Sequence, residues 1–268
     1  MSAPDRPLLL IAHGSRDPRH AATVAGVVEQ VRALRPGLEV ATAYLDHCAP
    51  RIPQVAGRLP AAVAVPLLLN RAFHAKHDIP AALRAAGADL PVADVLGPAR
   101  PRVADAAPAT GPLPVPSPLL LAALDRRLAG AGLAVGSPVV RARTGVVLAA
   151  AGSSDPAADA ATRAVAAEWR RTRGWAGVEV AYASAGGPRV PAAAAALRAA
   201  GARRVAVAPY LLAPGLLPDR IVDAAAEAEA DVLAEVLGAA PEIARLVLRR
   251  YLGTCREAVS APALSASA

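Results

Sequence analysis

The sequence is poor in cysteine, in aromatic residues and in long apolar runs. Cys48 and Cys255 are the two cysteines of 268 residues and form no CxxC pair, which argues against a disulfide framework and a thiolate metal site. Aromatic residues make up 3% of the chain, too few for the base-stacking surfaces of a protein that binds nucleic acid. No run approaches the roughly 18 apolar residues of a membrane span. We therefore expect a soluble, cytoplasmic protein that binds neither nucleic acid nor a membrane.

The formal net charge is +7, but the basic residues are mostly scattered arginines rather than a concentrated patch. The chain is also rich in alanine, proline and glycine, as GC-rich coding sequences are. The charge by itself therefore carries little weight. It fits an acidic small substrate better than a polynucleotide.

Short apolar runs alternate with longer amphipathic stretches, a pattern typical of a doubly wound, mainly parallel α/β sheet. Strands are predicted at residues 7–12, 39–44, 61–69 and 92–96, and helices at residues 21–34, 52–58, 79–86 and 119–131. Seven prolines lie between residues 98 and 118, so that segment is predicted to be a loop or an insertion.

The second half of the chain repeats the first. AHGSRDP at residues 12–18 returns as AAGSSDP at 150–156, and PRIP at 50–53 returns as PRVP at 188–191, both with a spacing of 138 residues. VPLLL at 65–69 corresponds to APYLL at 208–212. We therefore predict two tandem α/β domains, residues 1–140 and a degenerate copy at 141–268.

All five histidines lie in the first half. His13 is replaced by Ala151 in the second copy and His47 by Ala185, while FHAKHDIP at 73–80 corresponds to GLLPDRI at 215–221. This one-sided placement predicts a single active site in the N-terminal domain. The second domain is expected to keep the fold and close the cleft.

His13 follows the first predicted strand and His74 follows the third. The carboxyl ends of parallel strands meet at one edge of a sheet, where ligands bind, so both imidazoles are expected there. Two imidazoles can bind a divalent metal or accept protons, and His77 and Asp78 add a ligand or base nearby. Gly14 permits a tight turn, and Ser15 precedes a helix start suited to anions.

These motifs resemble a known family. LLLIAHGSRDP, VPLLLNRAFHAKHDIP and LGP, in a chain with a degenerate second copy, are similar to the long form of the CbiX/SirB family of sirohydrochlorin chelatases. The resemblance implies two tandem chelatase-like domains. It also implies insertion of Fe²⁺ or Co²⁺ into sirohydrochlorin, a tetrapyrrole with eight carboxylates, for siroheme or cobalamin.

The family's two active-site histidines map onto His13 and His74. The resemblance implies that the metal is a substrate and that no cofactor is tightly bound. Many relatives have a glycine shortly before the second histidine, where this chain has residues 71–73, and glutamate is common at the position of His77. Iron, cobalt and nickel all bind imidazole, so the metal remains open.

Metallation requires a ligand for the metal and a base for two pyrrole N–H protons. We predict that His13 and His74 fill both roles and that His77 or Asp78 passes protons to water. Residues predicted to bind the substrate carboxylates are Ser15, Arg16, Arg71 and Lys76, with Arg51 as a further candidate. His20 is predicted to lie on the surface and Cys48 to be buried, whereas His47 fits a pocket role and a capping role equally well.

Two other functions remain open. A metal or tetrapyrrole carrier would use the same ligands without accelerating insertion. A hydrolase would pair Ser15 with a histidine, although the chain has no GxSxG elbow. The internal duplication favours a monomer, since it can replace a dimer of half-length chains, and a dimer of the full chain is the alternative.

Overall fold

A computed structural model describes residues 6–71, 73–98 and 115–260. The strands are β1 (Leu8–Ala12), β2 (Val40–Tyr44), β3 (Val63–Pro66), β4 (Thr144–Ala150), β5 (Gly177–Tyr182), β6 (Arg204–Tyr210) and β7 (Val232–Leu233). The helices are α1 (Pro18–Leu34), α2 (Ile52–Ala56), α3 (Ile79–Ala85), α4 (Pro118–Gly130), α5 (Pro138–Arg141), α6 (Pro156–Arg173), α7 (Val190–Ala199), α8 (Leu216–Glu227) and α9 (Pro241–Ser260). A π-helical turn, His74–Asp78, immediately precedes α3.

The strands form two parallel sheets, ordered β2-β1-β3 and β5-β4-β6-β7, and helices flank both. This confirms the predicted α/β class. All five residues of β1 and all seven of β4 are buried, as central strands covered on both faces require.

Equivalent residues pair with each other in the two sheets. Ile11 pairs with Pro66 in the first sheet, and Ala149 pairs with Pro209 in the second. The motifs that suggested a duplication therefore occupy matching places in two similar sheets.

Two helices cross between the halves. Helix α9, at the end of the chain, packs against α1 and β3, while α4 packs against β6 and α9. The Tyr251 hydroxyl in α9 donates a hydrogen bond to the Arg6 carbonyl, 2.5 Å away. Leu10 and Leu148, one from each central strand, belong to the same hydrophobic cluster. Elements on both sides of residue 140 therefore contribute to one core.

An ion pair fixes α4 against α9. Arg126 donates Nη2–H to Glu242 Oε1 at 2.7 Å and Nε–H to Oε2 at 2.8 Å. The Glu242 side chain is 8% exposed. The hydrogen bonds from Arg126 are the main reason that the pKa of Glu242 lies below its ordinary value of 4.5.

Glu242→Gln is expected to lower the free energy of unfolding by about 1–2 kcal/mol at pH 7, since Arg126 is half exposed and solvent screens the pair. A depressed carboxyl pKa stabilises the fold above the unfolded-state pKa, and this contribution is lost as the pH falls through the folded-state pKa. The difference from wild type should therefore shrink below about pH 4, as measured by urea unfolding.

Glu168→Gln is the matched control. Glu168 pairs with Arg171 within α6, and such a local pair contributes less to stability than the pair between α4 and α9. Equal losses for the two variants, or a pH-independent loss for Glu242→Gln, would contradict this account of the contact between α4 and α9.

Three predicted elements differ from the structure. Helix α1 begins at Pro18 rather than residue 21, because Asp17 caps the helix and proline suits its first turn. Strand β3 is shorter than predicted and runs only from Val63 to Pro66, although the Leu67 amide still donates to the Ile11 carbonyl. The strand predicted at 92–96 is reduced to a single bridge between Val92 and Ala64.

The predicted proline-rich loop falls mostly outside the described residues, at 99–114. Over the part of the chain that is described, no helix combines the length and hydropathy needed to cross a bilayer.

Candidate functional site

A large cleft lies between the two halves, at the carboxyl ends of their central strands. Its volume is about 1080 Å³, and its walls include the residues after β1 and β3 and those after β4 and β6. This is the edge at which ligands bind to open parallel sheets. All five histidines of the chain line the cleft.

The turn after β1 positions His13. Gly14 has φ +91°, and a Cβ at this residue would lie 1.7 Å from the carbonyl oxygen of Asp46. Ser15 Oγ accepts a hydrogen bond from the Asp17 amide at 3.1 Å, and Asp17 then caps α1. The HGSR motif is therefore a strand-to-helix turn that requires glycine and leaves the histidine at the cleft.

The π-helical turn after β3 positions His74. Hydrogen bonds define equivalent points in the two halves, because Leu69 accepts from Gly97 as Leu212 accepts from Gly238. Counting forward from Leu69 and Leu212, His74 matches Leu217.

Beyond this point the first half contains one residue more than the second half. Ile79 and Ile221 are both fully buried in matching helices, but Ile79 lies one residue further along than the count predicts. The wider turn accommodates this extra residue, and the Ile79 amide donates to the His74 carbonyl across it. Such π insertions are frequent at functional sites. No sequence pattern predicted this one.

The two predicted ligands meet in the cleft. His13 Nε2 lies 3.2 Å from His74 Nε2, with the ring centroids 4.5 Å apart and the rings nearly perpendicular. On the other side of each ring, His13 Nδ1 lies 2.8 Å from the Gly14 carbonyl and His74 Nδ1 lies 2.6 Å from Asp78 Oδ2. The π-helical turn thus supplies both His74 and the carboxylate that orients it.

The hydrogen-bond partners assign the tautomers of the two neutral rings. The Gly14 carbonyl and the Asp78 carboxylate are acceptors, so each Nδ1 carries the proton and each Nε2 presents a lone pair. Two lone pairs facing each other at 3.2 Å require a cation between them or a shared proton. Nitrogens that bind one metal ion at about 2.0–2.1 Å stand roughly 2.8–3.4 Å apart for angles between a right angle and the tetrahedral angle. The 3.2 Å separation of the two nitrogens is compatible with two ligands of one metal ion.

The predicted cations are not all in the cleft. Arg16 and Lys76 line it, but Lys76 Nζ is already paired with Asp155 Oδ2 at 2.5 Å. Arg71 lies 3.9 Å from Asp94 and is absent from the cleft lining. Arg51, also outside the lining, donates to the Leu45 carbonyl and to Asp46. The sequence predicted these cations near the site but not the carboxylates and the carbonyl that they contact.

His20 corrects a prediction. It lines the cleft and is half-buried rather than on the surface, because α1 begins three residues early and brings it into the first turn. Burial is the main reason that the pKa of His20 is lowered. His47 also lines the cleft, with its ring centroid 6.3 Å from that of His13. Its Nε2 lies 3.4 Å from Asp46. Cys48 is half-buried, with Sγ donating to the Ser15 carbonyl.

The second half contributes more to the cleft than its lost histidines suggested. Tyr210 lines the cleft, and its fully buried hydroxyl has no hydrogen-bond partner among the described residues. Burial raises its pKa. In the sequence, this tyrosine stands in APYLL at the position where the first copy has Leu67. That difference between the copies could have identified Tyr210 as a cleft residue.

Ion pairs join the halves at the cleft on two sides. Lys76, in the π-helical turn, binds the cap of α6, and Asp219, in α8, binds Arg19 at the start of α1. Each contact links the helix after the third strand of one half to the first helix of the other. The cleft is therefore built by two similar halves facing each other.

The CbiX family model matches residues 7–108 and 145–254, most of the chain and both repeats. The chain belongs to the CbiX family. Comparison with the curated proteins found no match.

Solved structures share the architecture of this CbiX-family chain. SirB from Bacillus subtilis with Fe³⁺ has a TM-score of 0.75 at 22% identity, covering 95% of this chain and 97% of its own. SirB from Bacillus subtilis subspecies spizizenii, in complex with cobalt, has a TM-score of 0.70 at 20% identity, covering 94% and 96%. CbiX, described as the terminal enzyme for siroheme biosynthesis in denitrifying bacteria, has a TM-score of 0.65 at 21% identity, covering 95% and 100%. At these identities the likeness establishes the fold.

Asp78→Asn is expected to weaken Co²⁺ binding to this CbiX-family protein by about 10–100-fold, because carboxylates behind metal-binding histidines fix the ring and raise its basicity. Titration followed by the visible spectrum of Co²⁺ measures the affinity. Asp89→Asn, an exposed carboxylate just after α3, controls for the change in net charge. Equal affinity of Asp78→Asn and wild type would show that Asp78 does not support the pair.

Proposed function

We propose that this protein inserts a divalent metal, Fe²⁺ or Co²⁺, into sirohydrochlorin, with His13 and His74 as the metal ligands and proton acceptors. The observation that carries the proposal is the 3.2 Å separation of the two Nε2 atoms in a cleft between the halves. Membership of the CbiX family supports the reaction class.

The two lone pairs suit an exchange of metal for protons. They hold the incoming ion, which is a substrate, by two bonds rather than a full protein cage, so open positions remain for the macrocycle. As the metal moves to the four pyrrole nitrogens, two N–H bonds break and the vacated Nε2 atoms accept the protons. Asp78 stabilises the charge that develops on the His74 ring. His77 also lines the cleft and is the further candidate to pass protons on to solvent.

Substrate carboxylates have three kinds of partner in this proposal. Arg16 is the exposed cation of the HGSR motif and lines the cleft. The N-terminus of α1, beside Ser15, offers a positive dipole end. Lys76 binds a carboxylate when it exchanges Asp155 for the substrate. Arg71 and Arg51 are not assigned this role because their guanidinium groups contact other residues outside the cleft.

The test is the absorption spectrum of metal-free sirohydrochlorin over time, under anaerobic conditions, with Fe²⁺ or Co²⁺. Catalysis predicts that the metallated spectrum develops faster with the protein than with metal alone, and the faster metal identifies the preferred substrate. A spectral change on binding, followed by insertion at the uncatalysed rate, would instead identify a carrier.

A hydrolase receives no support from the contacts of Ser15. Its hydroxyl accepts from the Asp17 amide, and within the described chain no hydrogen bond links it to a histidine ring. Triad chemistry requires that contact.

We further propose that the protein acts as a cytoplasmic monomer. The free cysteines and the pairing of the two halves across the cleft support this proposal.

A further inference from the structure

Two exposed apolar side chains line the cleft, one from each half of the chain. Phe73, the only phenylalanine of the sequence, is 63% exposed, and Leu216 is 68% exposed. Both line the cleft, Phe73 from the first half and Leu216 from the second. Single exposed apolar residues are common, but two large ones in the same cleft indicate an apolar ligand.

The pair occupies equivalent positions of the internal repeat. Counting forward from Leu69 and Leu212, whose carbonyls accept matching hydrogen bonds, Phe73 falls on Leu216. The neighbouring histidine is lost in the second copy, where Leu217 stands in place of His74. The chain thus has one copy of the metal ligand but a large exposed apolar residue at this position in both halves.

Phe73 also lies close to the proposed metal site. Its ring centroid is 6.3 Å from that of His74 and 5.0 Å from that of His77. A macrocycle whose centre receives a metal from His13 and His74 extends outward over the neighbouring side chains. An aromatic ring at this distance therefore falls within the area that such a ligand covers.

We infer that Phe73, from the first half, and Leu216, from the second, contact the flat ring system of the tetrapyrrole. Its carboxylates remain at the polar edge of the cleft. This inference rests on the proposed function and names specificity residues within it. The histidines provide the chemistry, and the apolar pair holds the macrocycle over them. Burying these side chains against a conjugated ring releases water from apolar surface on both partners.

The experiment titrates metal-free sirohydrochlorin into the full-length protein without metal and follows the absorption and fluorescence of the tetrapyrrole. Phe73→Ala and Leu216→Ala are each expected to raise Kd by roughly 5–30-fold, and Phe73→Leu by less, since it keeps an apolar contact. Co²⁺ affinity should stay within about twofold of wild type in all three variants, because none removes a metal ligand.

Val222→Ala is the matched control, since Val222 is a 48% exposed residue of α8 that does not line the cleft. It should bind sirohydrochlorin like wild type. Wild-type binding by Phe73→Ala and Leu216→Ala would overturn the inference and leave the proposed function standing. Failure of the wild-type protein to bind sirohydrochlorin at all would overturn both. Sedimentation that shows a dimer in wild type and a monomer in these variants would assign the pair to self-association instead.

Discussion

Replacing His13 or His74 with alanine is expected to lower the rate of metal insertion by about 10²–10⁴-fold, because each change removes a residue that we propose to be both a metal ligand and a proton acceptor. The fold should survive. His74 is an exposed side chain and His13 is only partly buried, so neither fills the core. Stopped-flow absorption of sirohydrochlorin with Co²⁺ measures the rate, and urea unfolding verifies stability.

His47→Ala is the matched control for this prediction. Its imidazole lines the same cleft, but its ring centroid is 6.3 Å from that of His13 and its Nε2 faces Asp46. Its loss should cost less than about tenfold, below the range for a residue that orients a metal ligand, because His47 lies outside the proposed ligand pair. Equal effects of all three alanine variants would indicate a shared electrostatic role for the three histidines. That result would contradict a distinct role for His13 and His74.

Gly14→Ala is expected to destabilise the protein by about 3–5 kcal/mol, a large share of the total for a folded domain. Two costs add at this position. The backbone has φ +91°, which disfavours any residue with a Cβ, and that Cβ would lie 1.7 Å from the Asp46 carbonyl oxygen. The backbone must move, and the same movement displaces His13. Urea midpoints and metal insertion should therefore fall together.

Gly37→Ala separates the two costs. Gly37 has φ +89°, but a Cβ there meets no atom within 4 Å. Its loss should be limited to the conformational cost of roughly 1–2 kcal/mol. If Gly14→Ala is no more destabilising than Gly37→Ala, then the turn after β1 is not locked by close packing against Asp46.

The fold could be predicted largely from local signals. Apolar runs of strand length, each followed by an amphipathic helix, identified the sheets, and the repeated GS-DP and PR-P motifs identified the duplication. The proximity of His13 and His74 followed from the rule that parallel strands share one carboxyl edge. That rule needs only where the strands end and that they are parallel, which the alternation of apolar runs and amphipathic helices indicates.

Contacts between distant segments could not be predicted in this way. The crossing of α9 to the first sheet and the pairing of Lys76 with Asp155 join residues far apart in sequence, and no periodic pattern records them. The pairing of Arg71 with Asp94 likewise depends on loop conformation. The π-helical turn could not be predicted either, because its extra residue lies within a helix. It is identified by the hydrogen bonds that define equivalent residues in the two halves.

The rate of Co²⁺ insertion into metal-free sirohydrochlorin by wild type, His13→Ala, His74→Ala and the double variant tests the central claim most directly. Two ligands that hold one ion act as a unit, so the account predicts that the double variant loses little more activity than either single variant. If the two losses multiply, the histidines act independently. If wild type does not exceed the rate with metal alone, the protein does not catalyse insertion.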